Sequence, residues 1–260
     1  MTSQALFTVQ RSHTWMPTDA SRGPWTPDAL HGGPVAALLA HAALPLLDEL
    51  MPARLTVEIV RPVPVAPLTV HATLTRPGRR VRGVAVSMIA GETEVATASL
   101  VAIRNAPIPA PEQPVAVVPP PPERGNPPTF TSGGTYEALH NTGVEHSFVA
   151  GSMEQPGPAT DWIRLRVPLV EGEPVHPIER VAVAADFGNG VSRIVDFEQL
   201  LFINPDLTIH VHRLPEGEWV CLDARTRIEP NGVGVAASEL YDERGSIGNA
   251  LQSLVVDLRT

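Results

Sequence analysis

Two segments of this chain are versions of one another, and that duplication limits the folds open to it. Arg54-Leu55-Thr56-Val57-Glu58-Ile59-Val60-Arg61 and Asp206-Leu207-Thr208-Ile209-His210-Val211-His212-Arg213 both carry Leu-Thr after a charged residue, alternate in polarity and close on arginine. Leu207 stands 152 positions after Leu55, and Arg213 the same distance after Arg61. At that offset Ala98 meets Ala250 and Leu100 meets Gln252. A period this long marks a duplicated domain, because solenoid and propeller repeats recur every ~20–50 residues. Each half also has the same order: an apolar helix, the Leu-Thr strand, then further strands.

In the first half, Leu30-His31-Gly32-Gly33-Pro34 leads into an apolar run through Leu44. Pro34 suits a first helical turn, where its missing N–H costs nothing. A helix apolar nearly all round should be buried, and Pro45 should kink it or end it early. Runs at 55–60, 68–74, 81–89 and 95–103 alternate with period two and predict strands. Leu6 to Val9 predicts an opening strand, and Trp15 and Trp25 read as core anchors. One buried helix with an antiparallel meander predicts an α+β layer pair. Residues 105–128, with Pro119-Pro120-Pro121-Pro122, exclude a helix or central strand and predict an extended spacer. The expected division is therefore 1–104, a linker at 105–128, and 129–260.

The second half opens on a polar stretch, 130–148, that suggests no element. A strand is expected at 159–167. A helix follows from Ile178 to about Phe187, begun by His176-Pro177 and ended by Gly188-Asn189-Gly190. After an apolar run at 200–203, strands are expected at 207–213, 218–227, 232–241 and 246–258.

Composition narrows the function. The 260 residues suffice for a full core, and a formal charge of −9 with no basic patch argues against nucleic acid as a partner. The first residues lack the basic and apolar regions of a signal peptide. Pro34 to Leu47, the longest apolar stretch, is too short to span a bilayer. The single cysteine, Cys221, allows no internal disulfide and reads as a small buried hydrophobe. A soluble cytoplasmic protein is expected.

The His31-Gly32-Gly33 helix start, Trp162-Ile163-Arg164, Ala185-Asp186-Phe187, the run Asn204 to Arg213, Glu218-Trp219-Val220, Tyr241 to Gly245 and Leu251-Gln252-Ser253 occur in an order that resembles the thioesterase-like superfamily. The likeness is to double-hotdog acyl-CoA thioesterases of the thioesterase II type and covers about positions 6 to 258. It implies a double hotdog: two curled antiparallel sheets, each wrapped around a central helix. It also implies hydrolysis of an acyl-CoA thioester by water, with no cofactor and no covalent enzyme intermediate. Carried onto this chain, the water-holding residues are Asp186, Asn204 and Gln252. Well-studied members often have threonine where Asn204 falls, so Thr208 stands as the alternative.

The chemistry fits these residue types. Water attacking a thioester builds charge on the carbonyl oxygen, which helix N-terminal amides can stabilise. Gly32 and Gly33 sit at such a start, and since Pro34 has no N–H, the amides of Gly33 and Val35 are the expected donors. Asp186 would be the general base, with Gln252 orienting the water. His176 precedes Asp186 by ten residues, whereas ten from His31 lands on His41, with no acid nearby in the chain. One composite site is therefore expected, with amides from the first half and the base from the second. His31 reads as positioning its loop, and Leu38, His41, Phe187 and Phe202 as lining an acyl tunnel. His210 and His212 share a strand face but lack a third ligand, and Arg61, Arg79, Arg80 and Arg82 read as a solvated edge. A non-catalytic acyl-binding protein is the rival reading. A hydratase would want a histidine beside Asp186, and the neighbouring sequence has none. Exposed sheet edges offer a route to a homo-oligomer.

Overall fold

The structure is a computed structural model that describes residues 5–109, 118–129 and 136–259. The first half comprises β1 (Phe7–Arg11), β2 (Thr14–Pro17), α1 (Gly32–Ala43), β3 (Met51–Ile59), β4 (Leu68–Arg76), β5 (Val81–Ala90) and β6 (Thr93–Ile103). The second comprises β7 (Val144–Ala150), β8 (Ala159–Leu165), α2 (Pro177–Ala185), α3 (Gly188–Val191), β9 (Leu200–Ile203), β10 (Asp206–Val211), β11 (Val220–Ile228), β12 (Val233–Asp242) and β13 (Gly245–Leu258). The meander strands fall where alternation placed them. α1 ends at Ala43, and Pro45 lies in a 3-10 turn directly after it. Cys221 is buried.

The expectation of two separate sheets is corrected. The strands form one sheet in the order β1-β2-β4-β5-β6-β3-β10-β13-β12-β11-β8-β7, with β9 paired to β13. The cause is the repeat itself, because the two Leu-Thr strands hydrogen-bond to each other. Thr56 faces Thr208, Arg54 faces His210 and Glu58 faces Asp206. Thr56 and Thr208 are the two copies of one position, so a local two-fold axis runs between them, and their hydroxyls meet at 3.4 Å. An open β3 or β10 would expose a row of unpaired backbone groups, and this pairing covers both, leaving β1 and β7 as the terminal strands.

On the inner face, α1 packs against β3, β4, β5 and β6, α2 packs against β8, β10 and β11, and the helices pack on each other. Their approach is close enough that a Cβ at Gly33 would lie 2.7 Å from the Val183 carbonyl oxygen. The start of α1 lies beside the end of α2 and the reverse, so the helices run antiparallel.

At one of these crossings the sequence expectation fails. His41 lacks an acid nearby in the chain, but Glu179 Oε1 on the facing helix lies 2.9 Å from its Nδ1, and Glu173 lies 3.6 Å from its Nε2. Glu179 is 2 % exposed and also accepts from the His176 backbone N–H. The hydrogen bond to Glu179 is the main cause holding His41 above its ordinary value. A raised folded-state pKa contributes stability that is complete below the unfolded value, near ~6.5, and is lost as pH rises through the folded value. His41→Asn keeps a donor near the Nδ1 position without the charge. It should cost about 1 kcal/mol near pH ~5.5, with the deficit closing in alkaline buffer. Urea unfolding of both proteins across that range measures it.

Three segments depart from expectation. The stretch at 130–148 runs into β7, whose His146 and Ser147 are buried against Asp161 and the Pro122 carbonyl. Gly188-Asn189-Gly190 does not stop the helical path, since Gly188–Val191 is itself α3. Gly188 is there for close approach, because a Cβ would meet Ser238 Oγ at 2.8 Å and Gln252 Oε1 at 2.9 Å. The described part of the proline segment is tied down at three points along β7 and β8. Trp162 Nε1 donates to Pro120, Ser147 Oγ donates to Pro122, and Asn126 bridges to Phe148. The rest of that segment, 110–117, lies outside the described residues.

Candidate active site

His31 is the N-cap of α1, and its Nδ1 lies 3.2 Å from the Gly33 amide. Asp186 is the C-cap of α2 and only 3 % exposed. The antiparallel crossing brings these two ends together, with His31 Nδ1 2.7 Å from Asp186 Oδ2. The other carboxylate oxygen, Oδ1, accepts from Asn204 Nδ2 at 2.9 Å and from Gln252 Nε2 at 3.3 Å. Asp186, Asn204 and Gln252 therefore meet, although they lie on α2, the β9–β10 turn and β13. Thr208 does not join them, since its hydroxyl is on Thr56 at the two-fold seam.

The amide orientations follow from a residue that the sequence reading treated only as a helix stop. Asn189 on α3 donates its backbone N–H to Gln252 Oε1 at 3.0 Å and its Nδ2 to Asn204 Oδ1 at 3.4 Å. Each amide oxygen is thus engaged, which turns both NH₂ groups towards the carboxylate. Gln252 Nε2 also donates to the Asp186 backbone carbonyl at 3.1 Å, fixing side chain and main chain together.

Gly32 lies flat against this carboxylate. A Cβ there would sit 2.7 Å from both Asp186 oxygens. A helix leaves its first amides without intrahelical partners. Here His31 N donates to the Ser21 carbonyl, Gly33 N faces His31 Nδ1, and Pro34 has no N–H. Val35 N–H falls where a regular helix donates to the cap carbonyl. Among the described residues, the Gly32 N–H has no hydrogen-bond partner.

Gly32, Val35, Asp186, Phe187, Asn189 and Asn204 line a cavity of about 610 Å³. Its apolar wall includes Trp25 stacked on Phe197 at 4.6 Å, with Phe202 edge-on to Trp25 at 5.0 Å. Phe187 and Phe202 line it as expected, while Leu38 and His41 are not among the lining residues. Arg61 and Arg193 also reach the lining.

The acyl-CoA thioesterase N-terminal domain family matches residues 21–103, and the acyl-CoA thioesterase C-terminal domain family matches residues 111–256. The chain belongs to the acyl-CoA thioesterase family. Membership places it among thioester hydrolases. No curated protein sequence gives a significant match. Among solved structures, a candidate thioesterase II from Thermobifida fusca YX matches at TM-score 0.77 and 17% identity, over 98% of this chain and 96% of that one. The acyl-CoA thioesterase II TesB2 from Mycobacterium marinum matches at TM-score 0.70 and 16% identity, over 98% and 96%. A protein with a hotdog fold from Alicyclobacillus acidocaldarius matches at TM-score 0.73 and 18% identity, over 98% and 96%. At these identities the likeness is one of fold.

Two further histidines surround the site of this thioesterase-family chain. His140 lines the cavity, and burial, followed by the nearby His31 and His146, pushes it down to about 4, so it is neutral at ordinary pH. His146 Nδ1 lies 2.6 Å from Asp161 Oδ2, and its ring meets the face of Phe187 edge-on at 4.9 Å. The sequence reading singled out neither, because β7 and the turn before it went unrecognised. Among the described residues no helix is long and apolar enough to cross a membrane.

Proposed function

We propose that this protein hydrolyses an acyl-CoA thioester with a water activated by Asp186, at one composite site between its halves. The observation that carries the reading is the convergence of Asp186, Asn204 and Gln252 from the second half with the open Gly32 amide of the first. A carboxylate offers four acceptor positions. Asn204, Gln252 and His31 occupy three, leaving one on Oδ2 for a water. The water oxygen adds to the thioester carbonyl carbon while its proton passes to Asp186. The Gly32 N–H donates to the resulting oxyanion. Collapse breaks the C–S bond, and the departing thiolate takes the proton back from Asp186.

The rest of the cavity suits such a substrate. Trp25, Phe197 and Phe202 give an acyl group an apolar wall. Arg61 and Arg193 give local positive charge on a chain whose net charge is −9. The direct Asp186–His31 contact favours one second reading, hydration of an enoyl thioester, because it supplies the acid–histidine pair missing near Asp186 in the sequence.

Purified protein assayed against saturated, aryl and 2-enoyl-CoA substrates separates these readings. Thiol release, followed with a thiol reagent, is the expected result. Loss of enoyl absorbance without thiol release would support hydration, and saturable binding without either would leave an acyl-binding protein.

A further inference from the structure

The His31 imidazole carries two contacts on one nitrogen that cannot both be hydrogen bonds. Nδ1 lies 2.7 Å from Asp186 Oδ2 and 3.2 Å from the Gly33 amide nitrogen. An imidazole nitrogen is either a donor or an acceptor. A carboxylate oxygen and an imidazole nitrogen this close share a proton, since two lone pairs at that distance repel. With Asp186 ionised, the proton sits on Nδ1, and Nδ1 then has no lone pair for Gly33. We propose that His31 is a positioning residue that couples the base to the amide donors: while Nδ1–H holds ionised Asp186, the Gly33 N–H is released beside that of Gly32.

The inference rests on the hydrolytic reading and extends it. His31 stands at the start of α1 where His176 stands at the start of α2, and His176 Nδ1 accepts from Ile178 at 3.2 Å and serves as an ordinary cap. Among the described residues no carboxylate contacts His176 Nδ1, so that copy keeps its lone pair for the cap. The duplication thus presents one histidine cap in two electrostatic settings, and only the copy facing Asp186 must give up its cap bond. The result is that the Gly33 N–H, next to that of Gly32 at the start of α1, is uncapped while Asp186 holds Nδ1. If Asp186 is neutral and donates to Nδ1, that lone pair is taken as well. If Asp186 is displaced, Nδ1 returns to Gly33 and one donor is withdrawn. The charged groups facing His31 are Asp186 from α2 and, when protonated, His140, with His146 beyond it.

Three variants and one spectroscopic measurement test this. His31→Ala removes the clamp and should lower kcat about 10²-fold with little change in KM, the size expected when a transition-state donor network is disturbed. His31→Asn places an amide N–H where Nδ1–H stood and should recover kcat to within about tenfold of the natural enzyme. His31→Asp caps a helix as well as Asn does but cannot donate to ionised Asp186, so it should fail like alanine. A purely structural cap predicts instead that Asp and Asn behave alike. Nitrogen-15 NMR of the full-length protein, labelled at histidine, reads the tautomer without substrate. A protonated Nδ1 at neutral pH is expected, and an unprotonated Nδ1 accepting from Gly33 would overturn the proposal. Equal kcat for Asp and Asn in an active enzyme would overturn it too, while leaving hydrolysis intact. If the natural protein releases no thiol at all, the hydrolytic reading fails and the NMR result alone decides the tautomer.

Discussion

Asp186→Asn should lower thiol release from the best acyl-CoA by about 10²–10⁴-fold, the range a positioned general base contributes, while the protein stays folded. The expectation of intact folding comes from the local hydrogen bonds. An asparagine at 186 still presents one oxygen to the amides of Asn204 and Gln252, which now approach Asp186 Oδ1 at 2.9 and 3.3 Å. Its NH₂ would face His31 Nδ1, which accepts once the imidazole proton moves to Nε2. Every partner stays bonded, so stability should change by no more than about 1 kcal/mol. What disappears is the carboxylate that takes the proton from the water. Turnover within about tenfold of the unaltered enzyme, with unchanged unfolding, would remove Asp186 from the role of base.

Gly32→Ala should be nearly as damaging for a different reason. The added methyl would lie 2.7 Å from both Asp186 oxygens and 3.0 Å from Cγ. The carboxylate cannot swing aside cheaply, because three side chains hold it from other directions. Gly32 is not among the glycines with positive φ, so the cost is contact and not backbone strain. Displacing a catalytic group by about 1 Å can cost 10²-fold, and overpacking should lower stability by about 1–3 kcal/mol. The decisive measurement is the double variant. If Gly32→Ala acts by moving the carboxylate, adding it to Asp186→Asn should cost little further activity. Full multiplication of the two losses would mean that Gly32 acts elsewhere, through its amide alone.

Much of this arrangement was legible because it follows from local pattern. The period-two strands, the buried apolar helix and the Leu-Thr duplication depend on spacing along the chain, and the structure has them at those positions. Asp186, Asn204 and Gln252 came from a family resemblance carried over residue by residue, and the structure brings all three together. What could not be read were partners supplied by the facing helix. His31 and Asp186 belong to different halves, and so do His41 and Glu179, which are 138 positions apart. Nothing near either histidine in the chain announces the acid it meets, and Asp28, three residues before His31, is not that partner. β7 was hidden for a related reason: its inward residues include His146 and Ser147, and a polar side chain signals burial only once its partner, here Asp161 or the Pro122 carbonyl, is in view. Asn189 was misleading because an asparagine between two glycines has the composition of a helix end.

The Thr56–Thr208 seam has a consequence for how such a chain can change. In an assembly of two identical subunits, every substitution is made twice, and both clefts beside the axis gain or lose together. Joining the copies end to end lifts that constraint. One cleft here holds Gly32 against Asp186, while its two-fold counterpart holds Pro177 and a His41–Glu179 pair that fastens the helices. Fusion let one copy of the cleft become a fastening and left the other free for chemistry.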